Sequence, residues 1–476
     1  MNPPNLYEQL ADELSGMIAR RILRPGERLP SVRRLALEKK LSISTVVQAL
    51  RQLEERGQVE ARPQSGFFVR LPPPGRNPEL EPQTRRALAS PVPVDISSRL
   101  LNVLALNNRK EMAPFGAAMP ASELLPLAQL QRLYSQIGRQ AGELLDSASH
   151  TALNHPELVR QLVRHSLAWG QPLAGEEIVV TNSCTEALSL CLRAVTRPGD
   201  TVAVESPSYY LMLQLLQQLG LQALEIPTRP SQGLSVDALD IASRERRIAA
   251  CLLVSNFSNP LGSLMPDGEK QRLARLLEER QIPLIEDDIF GNLYFAGERP
   301  WPVKSFDRAG NVMLCASFSK TLSPSLRLGY VAAGRFHAEV QLQKTLTSGA
   351  TNPVTQAVVA RFLGASAYDR HLRQLRRAYA RQVSQMAEAV LRHFPAGTRL
   401  SQPQGGFVLW VELPPGCDSN RLFTAAVAAD IAFVPGDLFS PSGHYRNCLR
   451  LNAGNPWTAE LDAAIRKLGE LAAGCG

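Results

Sequence analysis

A chain of 476 residues exceeds what one hydrophobic core usually organises, so a small domain and a larger two-lobed one are expected. Hydrophobic residues make up 44% and charged residues 20%, an ordinary globular composition, and no stretch is apolar enough to cross a membrane. The start, MNPPNLYEQLADELSG, carries acids and lacks a basic-then-apolar export pattern. Seven cysteines, at 184, 191, 251, 315, 417, 448 and 475, sit mostly in apolar runs. They read as reduced thiols in a cytoplasm, and no Cys/His spacing suggests a metal. The net charge is +8, and residues 1–70 hold twelve Lys/Arg against eight Asp/Glu. That asymmetry is compatible with nucleic acid binding.

Residues 5–70 read as a helical unit ending in a strand pair. Leu6, Leu10, Leu14, Met17 and Ile18 recur at helical spacing. Pro25-Gly26 breaks that helix, and Ser31 can cap a second. A third starts at Leu41-Ser42 and runs to Gly57, with Val46, Ala49, Leu50 and Leu53 inward and Ser44, Gln48, Arg51 and Glu55 outward. Then QVEARPQSGFFVR gives two short strands around a Ser-Gly turn.

The stretch RPGERLPSVRRLALEKKLSISTVVQALRQLEERGQVEARPQSGFFV resembles the GntR DNA-binding domain along its whole length. The resemblance implies a winged helix-turn-helix over residues 1–70 and a double-stranded DNA operator as partner. It implies that the third helix puts its N-terminal turn into the major groove, where Ser42, Ser44, Thr45 and Gln48 suit base edges. Arg33 matches the family's DNA-contacting arginine, and Arg62 and Gln64 of the wing would reach phosphate or the minor groove. Ile43 departs from the pattern: many members carry arginine there, and an isoleucine either touches a thymine methyl or packs.

Residues 71–95, with LPPPG and further prolines, read as a stiff linker. Beyond them short apolar runs alternate with amphipathic helices. EIVVT (177–181), TVAVE (201–205), ACLLVS (250–255), PLIED (283–287) and VMLCAS (312–317) are strand candidates. This alternation predicts an α/β unit with a mostly parallel sheet covered on both faces and a site where the strands end. The last hundred residues, about 365–476, read as a smaller α+β lobe with strands FVLWVEL (407–413) and NCLRLN (447–452).

Residues 96–476 resemble the fold type I aminotransferases, which use pyridoxal 5'-phosphate (PLP). ASFSKTLSPSLRLGY resembles the lysine signature, making Lys320 the residue that holds the cofactor covalently and Ser317, Ser319 and Arg327 phosphate ligands. In PLIEDDIFG, Asp287 would pair with the pyridine nitrogen, with Glu286 and Asp288 as neighbours open to confusion with it. SNFSNPLG makes Asn259 a donor to the phenolic oxygen. TNSCTEALSL opens a helix whose amides at Ser183, Cys184 and Thr185 suit a phosphate. ESPSYY makes Tyr209 the ring-stacking residue, with Tyr210 as runner-up, and RLNAG makes Arg450 the clamp for a substrate carboxylate. Two tyrosines of related proteins are replaced, by Ile289 and Phe290 and by His150.

Together these motifs resemble the MocR group of GntR-type transcription regulators: a winged helix-turn-helix fused to a PLP-dependent transferase fold. The implied function is a cytoplasmic, homodimeric DNA-binding regulator that senses an amino compound or vitamer. A PLP-dependent aminotransferase with an appended DNA-binding domain, and a regulator that has lost PLP, are the alternatives.

Overall fold

A computed structural model describes residues 6–19, 23, 27–55, 58–62, 66–69, 77–83, 90–95, 97–107, 109, 111–139, 141–146 and 154–475. The chain divides into two compact units, residues 1–78 with 295–298 and residues 79–294 with 299–476.

In the small unit, α1 (Leu6–Ala19), α2 (Val32–Lys39) and α3 (Ile43–Glu55) precede a hairpin of β1 (Val59–Arg62) and β2 (Gly66–Val69). Val46, Ala49, Leu50 and Leu53 of α3 are fully buried against Leu10, Ala11 and Leu14 of α1. Leu6 shares the α1 spacing but stays exposed, because it lies a turn ahead of the packed stretch. Local chemistry sets the helix ends. Ser31 Oγ accepts from the Arg34 N–H at 3.3 Å, and Lys40 closes α2 in the left-handed region at φ 54. Ser42 Oγ accepts from the Thr45 N–H at 3.1 Å and caps α3. Residues 27–29 run beside β2, with Leu29 N–H to Phe67 O and Val69 N–H to Glu27 O, both 2.8 Å. The result is a winged helix-turn-helix.

The large unit is built on a nine-stranded sheet. Its strands are β3 (Val92–Pro93), β4 (Ile178–Thr181), β5 (Thr201–Ser206), β6 (Gln222–Arg229), β7 (Ala250–Leu253), β8 (Leu284–Asp287), β9 (Val312–Ser317) and β10 (Gly329–Ala332), in the order β3-β6-β5-β7-β8-β9-β10-β4, with Gly233–Leu234 paired onto β6. From β6 to β9 every pairing is parallel, while β10 is antiparallel to both neighbours. Successive residues point to opposite faces. Val202, Val204 and Leu252 enter the core beneath α4 (Cys184–Val195) and α5 (Tyr210–Gln218), whereas Ala203, Cys251 and Leu253 enter the core beneath helices 236–245 and 267–279. The sheet is therefore covered on both faces. Strands β3, β6 and β10 were not among the sequence candidates.

The small lobe holds an antiparallel sheet of β11 (Arg399–Leu400), β12 (Val408–Glu412), β13 (Val434–Pro435) and β14 (Cys448–Asn452), in the order β11-β12-β14-β13. Residues 113–121 join it from far upstream. Ala113–Pro114 pairs with Ile431–Ala432, and the Asn452 N–H reaches Phe115 O at 2.8 Å. The region read as linker is docked in part: the Gln83 N–H donates to Glu412 Oε2 at 2.8 Å, and Val92 pairs with Ala223. Among the described residues no helix is long and apolar enough to cross a membrane.

Leu50 is fully buried in the small unit. Leu50→Ala is expected to cost about 2–5 kcal/mol of that unit's stability. In calorimetry, only the transition that carries the small unit should move.

Candidate functional site

A cavity of about 200 Å³ opens where β8 and β9 end and α4 and α5 begin. Parallel strands whose ends abut helix N-termini leave such a crevice. Ten of the anticipated residues line it: Ser183, Cys184, Thr185, Tyr209, Asn259, Asp287, Ser317, Ser319, Lys320 and Arg327. Arg450, in β14, is not on the wall, but its charge acts on Lys320, Tyr209 and Tyr210.

Lys320 follows β9 in a turn, and its Nζ donates to Ala118 O at 2.6 Å, with Met119 Sδ at 3.2 Å. Burial pushes the ammonium down to about 8; the Arg450 cation adds to the depression and Asp287 opposes it. Burial likewise pushes Asp287 up to about 6. Its Oδ1 accepts the Ile289 N–H at 3.0 Å and the Cys184 thiol at 3.3 Å. The adjacent acids are otherwise engaged. Glu286 accepts from Ser255 Oγ and from the N–H groups of Val303 and Lys304, while Asp288 pairs with Arg299 and accepts from Asn256. Asp287 is the acid of this run that faces the cavity.

Ser183 caps α4, its Oγ accepting from the Glu186 N–H at 3.0 Å. The hydroxyl accepts there and keeps its own hydrogen to donate, and beside it are the first backbone N–H groups of the helix, which lack an intrahelical acceptor. Ser317 Oγ donates to Ser319 Oγ at 3.3 Å, and Arg327 sits exposed at φ 47. The Tyr209 ring lies 4.7 Å from that of Tyr210, at 54°. Asn259 is buried, with its Oδ1 lacking a partner. The Arg450 side chain is wholly buried: one guanidinium nitrogen donates to Gly116 O, the Tyr210 hydroxyl is close by, and among the described residues Nε and Nη1 have no partner at hydrogen-bond geometry.

Ile289 and Phe290 line the cavity and offer no donor. The Phe290 ring packs edge-on against Phe407 at 5.4 Å. Tyr294 is off the wall, stacked beneath the Arg376 guanidinium at 3.7 Å. His150 lies outside the described residues. Residues missed in the sequence are Gly116 and Ala118, which act through backbone carbonyls, and Glu205, a buried β5 carboxyl that burial raises to about 8 while it accepts the Val254 N–H.

On the small unit, Arg33, Ser42, Ser44 and Gln48 are exposed and Thr45 is half-buried. Ile43 is 55% exposed, so it does not pack. Arg62 ends β1 with its side chain outside the described residues, as is all of Gln64.

The family pattern for GntR-type bacterial regulatory proteins matches residues 6–69, and that for aminotransferase class I and II matches residues 143–468. Two uncharacterized HTH-type transcriptional regulators of Escherichia coli, YdcR and YjiR, are each 36% identical to the chain, with 98% of both partners covered in each case. The chain is a MocR-type member of the GntR family. Its large unit is also similar to the α-aminoadipate aminotransferase LysN of Thermus thermophilus, solved with N-(5'-phosphopyridoxyl)-L-leucine: TM-score 0.72, 28% identity, 80% of this chain and 95% of that one. A multiple-substrate aminotransferase of Thermococcus profundus gives a TM-score of 0.74 at 26% identity, with 80% and 96% covered.

The aminotransferase fold of this MocR-type chain implies PLP, and the residues present fit that group. A buried carboxyl without a cation bonded to it, a buried carboxamide oxygen without a partner and a guanidinium with two free nitrogens surround one lysine. Such groups are costly to bury unless a ligand completes their hydrogen bonds.

Amine attack on an aldehyde requires the uncharged amine, so PLP capture by Lys320 should follow its titration. The rate of visible-band growth on adding PLP to the apo-protein should rise steeply up to about pH 8 and level off above it. For an ordinary lysine the rise would continue past pH 10. Arg450→Met removes a neighbouring cation and should move the midpoint upward.

Proposed function

We propose that this MocR-type protein is a cytoplasmic regulator that binds a double-stranded operator through its winged domain. Its large unit holds PLP and senses a small amino compound that carries a carboxylate. Support comes foremost from Arg450, which keeps two hydrogen-bonding nitrogens free in a fully buried position beside Lys320. A guanidinium of that kind suits a bidentate carboxylate. The names of the Escherichia coli relatives, both HTH-type transcriptional regulators, support the regulatory half.

When bound, PLP supplies an electrophilic carbon that amines attack and a ring that accepts electrons. Lys320 is the amine that would hold it. Asp287 presents a carboxylate for a ring N–H, and Asn259 a carboxamide for the phenolic oxygen. The α4 N-terminus at Ser183, Cys184 and Thr185, with Ser317, Ser319 and Arg327, supplies phosphate donors. Tyr209 covers one face, and Arg450 orients the carboxylate of the amino compound. Arg33, Ser42, Ser44, Thr45 and Gln48, with Arg62 and Gln64 of the wing, form the DNA-contacting set. The domain limits we assign are 1–70 for the winged unit, 71–95 for the connection and 96–476 for the PLP unit, with its small lobe from about 365.

The completeness of this pocket also favours a second reading, a working aminotransferase. Against it stand Ile289 and Phe290, which bring no hydroxyl to the cofactor's phenolic side. Multi-turnover amino-group transfer would mark the second reading.

The sensor reading is tested by separating the two functions. Arg33→Ala should weaken operator binding by about 1–3 kcal/mol and leave PLP content unchanged. Lys320→Ala should lose the borohydride-trapped adduct, and Arg450→Ala should raise the amino acid concentration that shifts the visible band, both with basal DNA affinity intact. A trapped adduct on another lysine would move the site.

The working unit is a homodimer in this reading. Thr185 and Arg327 are exposed and share an open cleft with Thr347, the end of helix His337–Thr347, on which Leu342 and Leu346 are 55% and 71% exposed. A second copy covering this side would bury the leucines and shield the phosphate end. Sedimentation should give a dimer at micromolar concentration.

A further inference from the structure

The first two turns of α3 present a limited chemistry. Its sequence from Ile43 is ISTVVQALRQLEE, so Arg51 is the first cation along the helix. The hydroxyls ahead of it are bonded to each other: Ser42 Oγ lies 2.7 Å from Ser44 Oγ and 2.8 Å from Thr45 Oγ1, and it also caps the helix. Next to them Ile43 is 55% exposed, although four other α3 side chains already fill the core. Ile43 does not serve helix formation either, since β-branched residues are indifferent helix formers. A lone exposed isoleucine is ordinary on a surface. This one occupies the turn that a helix-turn-helix inserts into the major groove, where its exposure ends on binding.

Bidentate reading of guanine takes Arg or Lys, adenine is read by Asn or Gln, and an apolar side chain meets the C5-methyl of thymine. The first two turns of α3 offer no residue of the first kind. They offer Gln48 of the second and Ile43 of the third.

Resting on the DNA-binding reading above, we infer that Ile43 reads a thymine methyl and sets an A·T preference at its position in each operator half-site. The contact is apolar and removes one methyl and part of the isoleucine from water.

The test uses the full-length protein and duplexes enriched from a randomised double-stranded library. In the enriched site each thymine is replaced in turn by uracil, which removes only the methyl. Wild-type protein should lose affinity roughly threefold to fourfold at one thymine per half-site, the effect of burying about one methyl, and little elsewhere. Ile43→Ala should bind the thymine and uracil versions of that position equally, and Ile43→Arg should shift selection there to guanine. Equal affinity of the wild type for every uracil duplex overturns the inference while leaving DNA binding standing. Retained thymine-over-uracil preference in Ile43→Ala overturns it as well. Failure to enrich any duplex removes the DNA-binding reading and the inference with it. The uracil series needs no variant, so it stands even where a substitution unfolds the domain.

Discussion

Lys320, Asp287 and Arg450 are ionisable groups withdrawn from water around one cavity, and the large unit is arranged around the cost of keeping them there. A buried charge persists where neighbours hold it by hydrogen bonds. Two of these bonds come from one stretch of chain: Ala118 O accepts from Lys320, and Gly116 O accepts from Arg450. The same stretch is fastened to the small lobe. Asn452 Nδ2 donates to Pro114 O at 3.1 Å and Met119 O at 3.3 Å, and the Ala121 N–H reaches Gly454 O at 3.0 Å. A ligand that takes the Ala118 bond from Lys320 therefore competes with a strap that also belongs to the lobe, whereas Nε and Nη1 of Arg450 are open without disturbing Gly116.

How the end of β8 sorts three acids in a row shows the same constraint. Strand alternation turns Glu286 and Asp287 to opposite faces, and each then meets different partners. Glu286 and Asp288 are met by donors supplied by the surrounding fold, Asp288 by a cation whose guanidinium also stacks on Trp169 at 4.1 Å. Asp287 keeps capacity to spare, held on one oxygen by a backbone N–H and by the Cys184 thiol, a weak donor. Carboxylates with filled hydrogen-bond shells are structural, whereas the one left under-filled is the one available to a ligand.

The same physics explains what was legible in the sequence. Buried parallel strands show as unbroken apolar runs, so VMLCAS and ACLLVS stood out. The motif spacings marked ten residues that the fold brings to one cavity. Strand β6 was hidden because QALEIPTR carries Glu225 and Pro227 inside it; Glu225 is buried all the same, accepting from Ser206 Oγ at 2.8 Å. Strand β10 was hidden because its first half, Gly329 and Tyr330, ends the lysine motif and was read as part of it. Gly116 and Ala118 act through carbonyls, which every residue has, so no side-chain pattern could mark them. Cys184 read as a phosphate-turn residue, and only the fold brings its thiol to Asp287. Ser42 was read from its place in the motif, and only the fold shows that its Oγ also accepts the Thr45 N–H and caps α3.

The balance between sensing and catalysis comes down to what surrounds Lys320. With its ammonium pushed down to about 8, roughly one molecule in ten carries the free amine at pH 7, against well under one in a thousand for an ordinary lysine. The uncharged amine is the form that adds to a carbonyl group, so burial keeps Lys320 suited to holding one, were the cofactor bound. Catalytic turnover asks for more: proton transfers that a set of placed hydroxyls and amides must support. Here the wall beside Asn259 is Ile289 and Phe290, the latter wedged against Phe407, so the pocket offers apolar surface where a further donor would speed those transfers. On the function proposed above, a buried lysine with a lowered ammonium, a guanidinium with unpartnered nitrogens and an apolar Ile289–Phe290 edge beside Asn259 would favour binding an amino acid over turning it over.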